Sequence, residues 1–367
     1  MSHEGQSSTS GGGSTVPPVR LAVIGLGNIG EIHVSKITES ASAHLVSVSD
    51  PTQRGDEFAV RLGIPNRADY RDVLDDDPEA VIISVPNELH REIATFFASS
   101  GVHLLVEKPL AESVAAGRAI VTAAEAGGVH LLVGHHRRHN DLVGAARRLV
   151  KERIGTLLAT NSLVTMRKPD SYYDIGWRRG SDAGPLLVNV IHEIDNLRTI
   201  SGEIAAVQAA ASNLARGFGF DDTIAIALEY ESGAVGTVTV TESTPSPWSW
   251  EASVVEGMRY PTYSQDHAVF LGTKGSLSFP SLKLWHFHDT DEPGWMSPLT
   301  TSDFEMEPND PYLDQIENLT RTIRGLGSPV VDGSDALRSL AVVEAIREAA
   351  ATGSRVTIAS VLGTEPR

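Results

Sequence analysis

The amino-acid sequence predicts an α/β protein in two parts: a parallel sheet wrapped by helices, then an α+β unit with an open, mostly antiparallel sheet. Two observations support this prediction. In residues 19–134, short runs of branched apolar residues alternate with helical patterns, as in a parallel sheet covered on both faces. Beyond residue 150, apolar and polar residues alternate with a period of two, which is typical of antiparallel strands with one covered face.

Length and composition restrict the class of protein. A chain of 367 residues has room for two domains and a large core. Its 30 Lys and Arg residues against 47 Asp and Glu residues give a net charge of −17, which argues against nucleic-acid and anionic membrane partners. The absence of cysteine excludes disulfides and thiolate chemistry, and it fits a cytoplasmic protein. No apolar run approaches the roughly 18 residues of a membrane span.

The first domain is expected at residues 19–140. Residues 1–18 are rich in Gly and Ser and lack the apolar region of a signal peptide, so we expect a flexible tail. Helical spacing of three and four is clear between Val114 and Ala124. Buried strands are predicted at 19–24, 45–50, 80–85, 102–106 and 129–133.

The second domain is expected at residues 141–355, with closing helices that can pack back on the first domain. A helix is predicted at 141–152, and Ser334 is the expected N-cap of the last helix. Trp248 and Trp250 alternate as on a strand, and they are expected to anchor a core or an interface. Strands are predicted at 223–230, 235–241, twice within 270–279, and at 282–287.

A glycine motif lies between the first strand and the first helix. It reads Gly25-Leu26-Gly27-Asn28-Ile29-Gly30, and Asp50 ends the second strand twenty residues later. This context is typical of a Rossmann dinucleotide-binding domain, in which the turn and the helix N-terminus hold a pyrophosphate. We expect these glycines, together with Asn28, Ile29 and Asp50, to bind the cofactor. Asp50 favours NAD, although the nearby Arg54 leaves NADP possible.

Polar residues also follow the third and fourth strands, where such sheets bind their ligands. Pro86, Asn87 and His90 come after one strand, and Glu107-Lys108-Pro109 comes after the next. We expect Pro86, Asn87, His90, Glu107 and Lys108 to contribute to the cofactor site. Lys108 is in addition a candidate acid/base, because a lysine that is desolvated beside a like charge shifts toward its neutral form.

The second domain carries a polar stripe within an apolar helix. Asn189, His192 and Asp195 are spaced by three, so they share one helix face. The stripe is either a histidine acid/base with hydroxyl-binding neighbours or a polar cluster between domains. We expect Asn189 and Asp195 to bind substrate.

Basic and aromatic residues are expected to line the same pocket. These residues are Arg137, Trp177 and Arg178. The histidines around Arg137 do not predict a metal site, because neighbouring histidines on an extended chain point to opposite sides.

Taken together, the glycine motif, Asp50, the Pro-Asn-x-x-His and Glu-Lys-Pro segments and the His192 helix resemble the Gfo/Idh/MocA oxidoreductases. The resemblance covers about residues 19–355. It implies hydride transfer between NAD or NADP and a hydroxyl-bearing carbon of a sugar, cyclitol or related polyol. It also implies that Lys108 lies between substrate and nicotinamide, that His192 is an acid/base, that Arg137 contacts substrate, and that the C-terminal sheet forms a homodimer or homotetramer.

The sequence departs from the family at one position. Many members place an aspartate four residues before the helix histidine, where this chain has Val188, and Asn189 follows. Asparagine orients a hydroxyl but cannot act as a base, so proton transfer falls to Lys108 and His192. Two alternatives stay open, an NAD-dependent glycoside hydrolase that oxidises its sugar transiently and a non-catalytic NAD sensor.

Overall fold

The computed structural model describes residues 17–180, 184–256, 260–288 and 293–364. Within these residues the first unit is a five-stranded parallel sheet in the order β2-β1-β3-β4-β5. Its strands are β1 (Val19–Ile24), β2 (Ala43–Ser49), β3 (Ala80–Ile83), β4 (His103–Glu107) and β5 (Leu131–Gly134). Its helices are α1 (Asn28–Glu39), α2 (Gln53–Leu62), α3 (Asn87–Ser99) and α4 (Val114–Gly127).

All five predicted strands of this unit are present, with ends that agree with the prediction or differ by at most two residues. The central strands β1, β3 and β4 are almost entirely buried, as a sheet covered on both faces requires. Because the strands are parallel, the segments that follow β1, β3, β4 and β5 meet at one edge of the sheet.

The second unit is built on a nine-stranded sheet, counted in the described residues, in the order β13-β12-β11-β10-β6-β9-β8-β7-β14. Its strands are β6 (Leu157–Thr165), β7 (Ile204–Ser212), β8 (Thr223–Tyr230), β9 (Val235–Thr241), β10 (Ala268–Gly272), β11 (Gly275–Phe279), β12 (Leu284–Phe287), β13 (Leu299–Ser302) and β14 (Val356–Thr357). The pairing of β6 with β9 is parallel and the other pairs are antiparallel, so the sheet is mixed.

The helices of the second unit pack on this sheet or against the first unit. They are α5 (Asp141–Arg153), α6 (Ile191–Ser201), α7 (Trp250–Ser253), α8 (Pro311–Ile323), α9 (Gly333–Thr352) and α10 (Ile358–Val361). Ile316 and Leu319 of α8 are fully buried in the cluster formed by β1 and β2. The closing helix α9 contacts both α4 and β7, so it connects the two units.

Two local predictions are wrong. Trp250 begins the short helix α7 and is buried, whereas Trp248 is exposed in the preceding loop, so the two do not share a strand. The N-cap of α9 is Asp332 and not Ser334, because the Asp332 side chain accepts the hydrogen bond from Asp335 N. In the described part of the chain, no helix has the length and apolarity needed to cross a membrane.

Candidate active site

The turn between β1 and α1 has the shape that the glycine motif predicts. Gly25 has a φ of +91°, a conformation that favours glycine. A Cβ on Gly30 would lie 2.0 Å from the Gly25 carbonyl oxygen, so helix and turn touch closely. A Cβ on Gly27 would meet nothing within 4 Å. The space before Asn28 and Ile29, the first residues of α1, is therefore open, and it fits a pyrophosphate at a helix N-terminus.

A cleft of about 380 Å³ continues from this turn and includes Asp50 and Pro86 in its lining. The Asp50 carboxylate accepts hydrogen bonds from the backbone N–H of Leu26 at 2.8 Å and of Thr52 at 2.9 Å. It therefore fixes the glycine turn against the end of β2 while facing the cleft, as a ribose-binding carboxylate would. Arg54 instead forms an ion pair with Glu31.

His90, which we expected at the cofactor site, lies inside the core between the segments that follow β3 and β4. It is buried, with Nδ1 lying 3.0 Å from the Pro109 carbonyl oxygen and Nε2 lying 3.0 Å from that of Val85. Burial lowers the pKa of His90. The neutral ring has one N–H, so it donates to one of these two carbonyl oxygens and packs between the segments after β3 and β4. Asn87 is the first residue of α3.

Glu107 ends β4, Lys108 follows it, and the two side chains differ sharply in environment. The Glu107 carboxylate is buried and lies 2.8 Å from Nε2 of His33 on α1. Burial raises its pKa, but the hydrogen bond and charge of His33, together with the charges of Lys108 and His136, hold the pKa below the usual range. Glu107 therefore fixes β4 to α1 from inside the core. Lys108 is half-buried, and desolvation lowers its pKa to about 8 against the opposing charge of Glu107.

The Lys108 amine reaches the second unit. Its Nζ donates a hydrogen bond of 3.0 Å to the carbonyl oxygen of Val188. Val188 lies in a π-helical turn, Leu186–Val190, that leads directly into α6. A π-turn widens the backbone and is frequent at functional sites. It brings the two candidate acid/base residues, Lys108 and His192, to one place.

His192 is buried at the start of α6. Burial and the positive charges of Lys108 and Arg137 hold its pKa well below the usual range. His192 is therefore neutral at physiological pH. Its Nδ1 is buried and has no hydrogen-bond partner among the described residues.

A cavity of about 200 Å³ opens beside His192 and Arg137. Arg137 lies in a short 3-10 helix after β5, and Trp250, Glu251 and Tyr312 line other walls. The guanidinium of Arg137 lies 4.4 Å from the Trp250 ring centroid and donates a hydrogen bond of 3.0 Å to Glu251. Five side chains from four separate segments of the chain thus meet around one space.

Asn189 reaches the same cluster. Its Nδ2 donates a hydrogen bond of 3.1 Å to Glu251. Its Oδ1 is buried and has no partner among the described residues. A buried amide oxygen without a donor is costly, so Asn189 is suited to accept a hydrogen bond from a hydroxyl of a bound molecule.

Asp195 belongs to a separate ion-pair network, despite its helical spacing from His192. Its carboxylate accepts two hydrogen bonds from Arg138, at 2.7 and 2.8 Å, and one from Ser339 on α9. Arg198 lies 3.7 Å away. Burial raises the pKa of Asp195, but His135, at 3.6 Å, and these two arginines keep it far below its usual range. The structure therefore assigns Asp195 to the contact between α6 and α9, and not to a wall of the cavity.

The remaining predicted residues lie on the 3-10 segment Gly176–Arg179. Arg178 donates a hydrogen bond of 3.0 Å to the Tyr172 carbonyl oxygen and stacks on that ring. The side chain of Trp177 lies outside the described part of the structure. The described residues contain no group of three or more His, Asp or Glu side chains arranged for a metal. The histidines after β5 lie on a 3-10 helix and not on an extended chain.

Sequence reasoning missed Glu251, Glu256 and Tyr312, which also line the cavity. Glu251 lies 62 residues from Asn189 and 114 from Arg137, so no local spacing connects them. The signal that the sequence offers for Glu251 is local: an acidic residue follows a tryptophan in the segment Ser249-Trp250-Glu251.

Two family models match the chain. Residues 19–135 match the oxidoreductase family with an NAD-binding Rossmann fold, and residues 147–358 match the C-terminal alpha/beta domain of that oxidoreductase family.

Curated relatives match almost end to end. D-xylose 1-dehydrogenase (NADP(+)) 2 of Haloferax volcanii is 26% identical over 342 residues, which cover 92% of this chain and 98% of the relative. Inositol 2-dehydrogenase of Rhizobium meliloti is 27% identical over 349 residues, which cover 93% and 99%.

Solved structures share the fold. The WlbA dehydrogenase of Chromobacterium violaceum, in complex with NADH and UDP-GlcNAcA, is 27% identical with a TM-score of 0.77. The match covers 94% of this chain and 96% of that one.

Proposed function

Since this chain belongs to the Gfo/Idh/MocA family of NAD-binding oxidoreductases, we propose that it transfers hydride between NAD and a hydroxyl-bearing carbon of a sugar, cyclitol or related polyol. The relatives described above act, by their names, on xylose and inositol. They support this proposal over the hydrolase and sensor alternatives. When bound, NAD supplies the hydride acceptor. The open space at Gly27 and the carboxylate of Asp50 support its binding.

The observation that carries the proposal is the position of Lys108. Its amine is desolvated, has a pKa near 8 and contacts the segment that bears His192. A neutral amine there accepts the proton of a substrate hydroxyl as the carbon is oxidised. The ammonium that forms donates to the Val188 carbonyl oxygen, which stabilises the charge until the proton leaves.

The neighbouring residues orient the hydroxyls. His192 stays neutral, so it exchanges hydrogen bonds with a hydroxyl without repelling the Lys108 ammonium. Asn189 offers its unpartnered Oδ1 as an acceptor, while Glu251 fixes the amide from the other side. Trp250 and Tyr312 provide aromatic walls against which the carbon face of a sugar or cyclitol can pack.

The test is reduced-nicotinamide absorbance with NAD, then NADP, across sugars, inositols and sugar acids. We expect Lys108→Ala to lose about 10²-fold in turnover while it still binds NAD, the usual scale for a lost acid/base. Lys151→Ala, an exposed lysine on α5, is the matched control and is expected to match the wild type. Wild-type turnover in Lys108→Ala would contradict the proposal.

We further propose that the chain forms a homodimer or homotetramer through the uncovered face of the nine-stranded sheet. The strand registers place Val235, Leu271, Trp285 and Leu299 on one face, and all four are exposed. A sheet face with several exposed apolar side chains is a common interface. Light scattering coupled to gel filtration measures the mass, and a monomer at micromolar concentration would contradict the proposal.

A further inference from the structure

Glu251 holds two of the residues that are proposed to contact substrate. Its Oε1 accepts a hydrogen bond from Arg137 Nη2 at 3.0 Å and another from Asn189 Nδ2 at 3.1 Å. The Arg137 guanidinium is further fixed over the Trp250 ring. The cation that faces the cavity is therefore already engaged by a carboxylate of this chain.

The charges around the cavity disfavour an anionic ligand. Glu251 and Glu256 both line it, and both are ionised at neutral pH. Burial opposes their ionisation, but Arg137 lowers the pKa of Glu251, and His136 lowers that of Glu256 to about 2. Arg137 also lies 3.9 Å from Glu193 behind it. A substrate carboxylate placed here would lie near the like charges of Glu251 and Glu256, and the Arg137 guanidinium is already paired with Glu251.

We infer that Glu251 determines substrate specificity: it occupies the guanidinium of Arg137 and so selects an uncharged polyol over the matching sugar acid. The inference rests on the proposed function, since it concerns the substrate of the same site. Arg137 then acts as a neutral pair with Glu251, and it offers hydroxyl groups its remaining N–H donors, of which Nε has no partner among the described residues.

The variant Glu251→Gln removes the charge and keeps the shape. The glutamine oxygen still accepts from Asn189 and Arg137, but the guanidinium is no longer neutralised. A substrate carboxylate then gains a charge-assisted hydrogen bond, which corresponds to about tenfold or more in affinity. Glu256→Gln is the matched control, because it removes the same charge from the same cavity but pairs with His136.

The kinetic test compares matched pairs, D-glucose with D-glucuronate and D-galactose with D-galacturonate, at saturating NAD. We expect the kcat/KM ratio of uronate to sugar to rise about tenfold or more in Glu251→Gln. In Glu256→Gln we expect the same ratio to stay within about threefold of the wild-type ratio. An unchanged ratio in Glu251→Gln, or an equal rise in both variants, would overturn the inference.

A binding test separates this inference from the proposed function. Trp250 lies against Arg137, so tryptophan fluorescence of the NAD-saturated protein reports on D-glucuronate binding. Tighter D-glucuronate binding by Glu251→Gln supports the inference even if no sugar reduces NAD, a result that would refute only the proposed function. If Glu251→Gln does not fold, the affinities of the wild-type protein for D-glucose and D-glucuronate are compared instead. Tighter binding of D-glucose supports the inference, and tighter binding of D-glucuronate overturns it.

Discussion

The pH dependence of sugar oxidation tests the role of Lys108 directly. In the direction of oxidation the amine must be neutral to accept a proton, so kcat/KM rises with pH until Lys108 is deprotonated. With a pKa of about 8, about one-eleventh of Lys108 is neutral at pH 7, half at pH 8 and about ten-elevenths at pH 9. A lysine with the ordinary pKa of 10.5 would be neutral in only about one molecule in 3,000 at pH 7.

The expected profile follows from these fractions. The kcat/KM for the oxidised substrate should rise about fivefold from pH 7 to 8, then less than twofold to pH 9. In the direction of reduction the ammonium is the donor, so the same group gives a rate that falls as pH rises through about 8. Initial rates of nicotinamide absorbance change, in buffers of constant ionic strength, measure both profiles.

The control is Lys108→Met, which keeps the aliphatic bulk and removes the amine. Its residual activity should lack the break near pH 8. A wild-type break above about pH 9, or a break that persists in Lys108→Met, would refute the assignment of the titrating base to Lys108.

Three further outcomes follow from the packing. Gly27→Ala should weaken NAD binding about tenfold with an unchanged Tm, because its Cβ enters only the open space of the cofactor site. Gly30→Ala should lower the Tm, because its Cβ meets the Gly25 carbonyl oxygen. NAD titrations and melting curves that do not distinguish the two variants would contradict this prediction. Asp50→Asn should raise the NADP-to-NAD ratio of kcat/KM about tenfold, by removing the charge that repels a 2′-phosphate, and an unchanged ratio would show that Asp50 does not face the ribose. Asp195→Asn should lower the free energy of unfolding by about 3 kcal/mol in urea titrations, because the buried Arg138 and Arg198 lose their carboxylate partner. A loss below about 1 kcal/mol would contradict the importance of this ion-pair network for stability.

The fold of the first domain could be predicted because its determinants are local. Apolar strand runs, turn glycines and helix spacing lie within a few residues of each other, so β1, α1 and the glycine turn agree with the prediction. Gly25 and Gly30 are examples of such local determinants. Gly25 has a positive φ, and Gly30 lies so close to the Gly25 carbonyl oxygen that a Cβ would not fit. The strand pattern of β8 and β9 is likewise local.

Some side chains could not be assigned because their partners are distant. Asp195 has the helical spacing of a substrate ligand, yet Arg138 and Ser339, from two other elements, bind it. His90 follows a strand end as a cofactor ligand would, yet its ring is buried against backbone carbonyl oxygens inside the core. Periodicity gives the face of a helix, but not which charge lies opposite it.

The sequence by itself determined the two-domain architecture, the dinucleotide cradle and the identity of Lys108 and His192 as candidate acid/base residues. Only the tertiary structure decided their electrostatics. The pKa of Lys108 depends on desolvation where two domains meet, and the charge of Arg137 is neutralised by Glu251, 114 residues away. Local patterns determine backbone conformation because torsional preferences and burial periodicity act over a few residues. The pKa values at a site depend on the electrostatic field of charges that come together only when the chain folds.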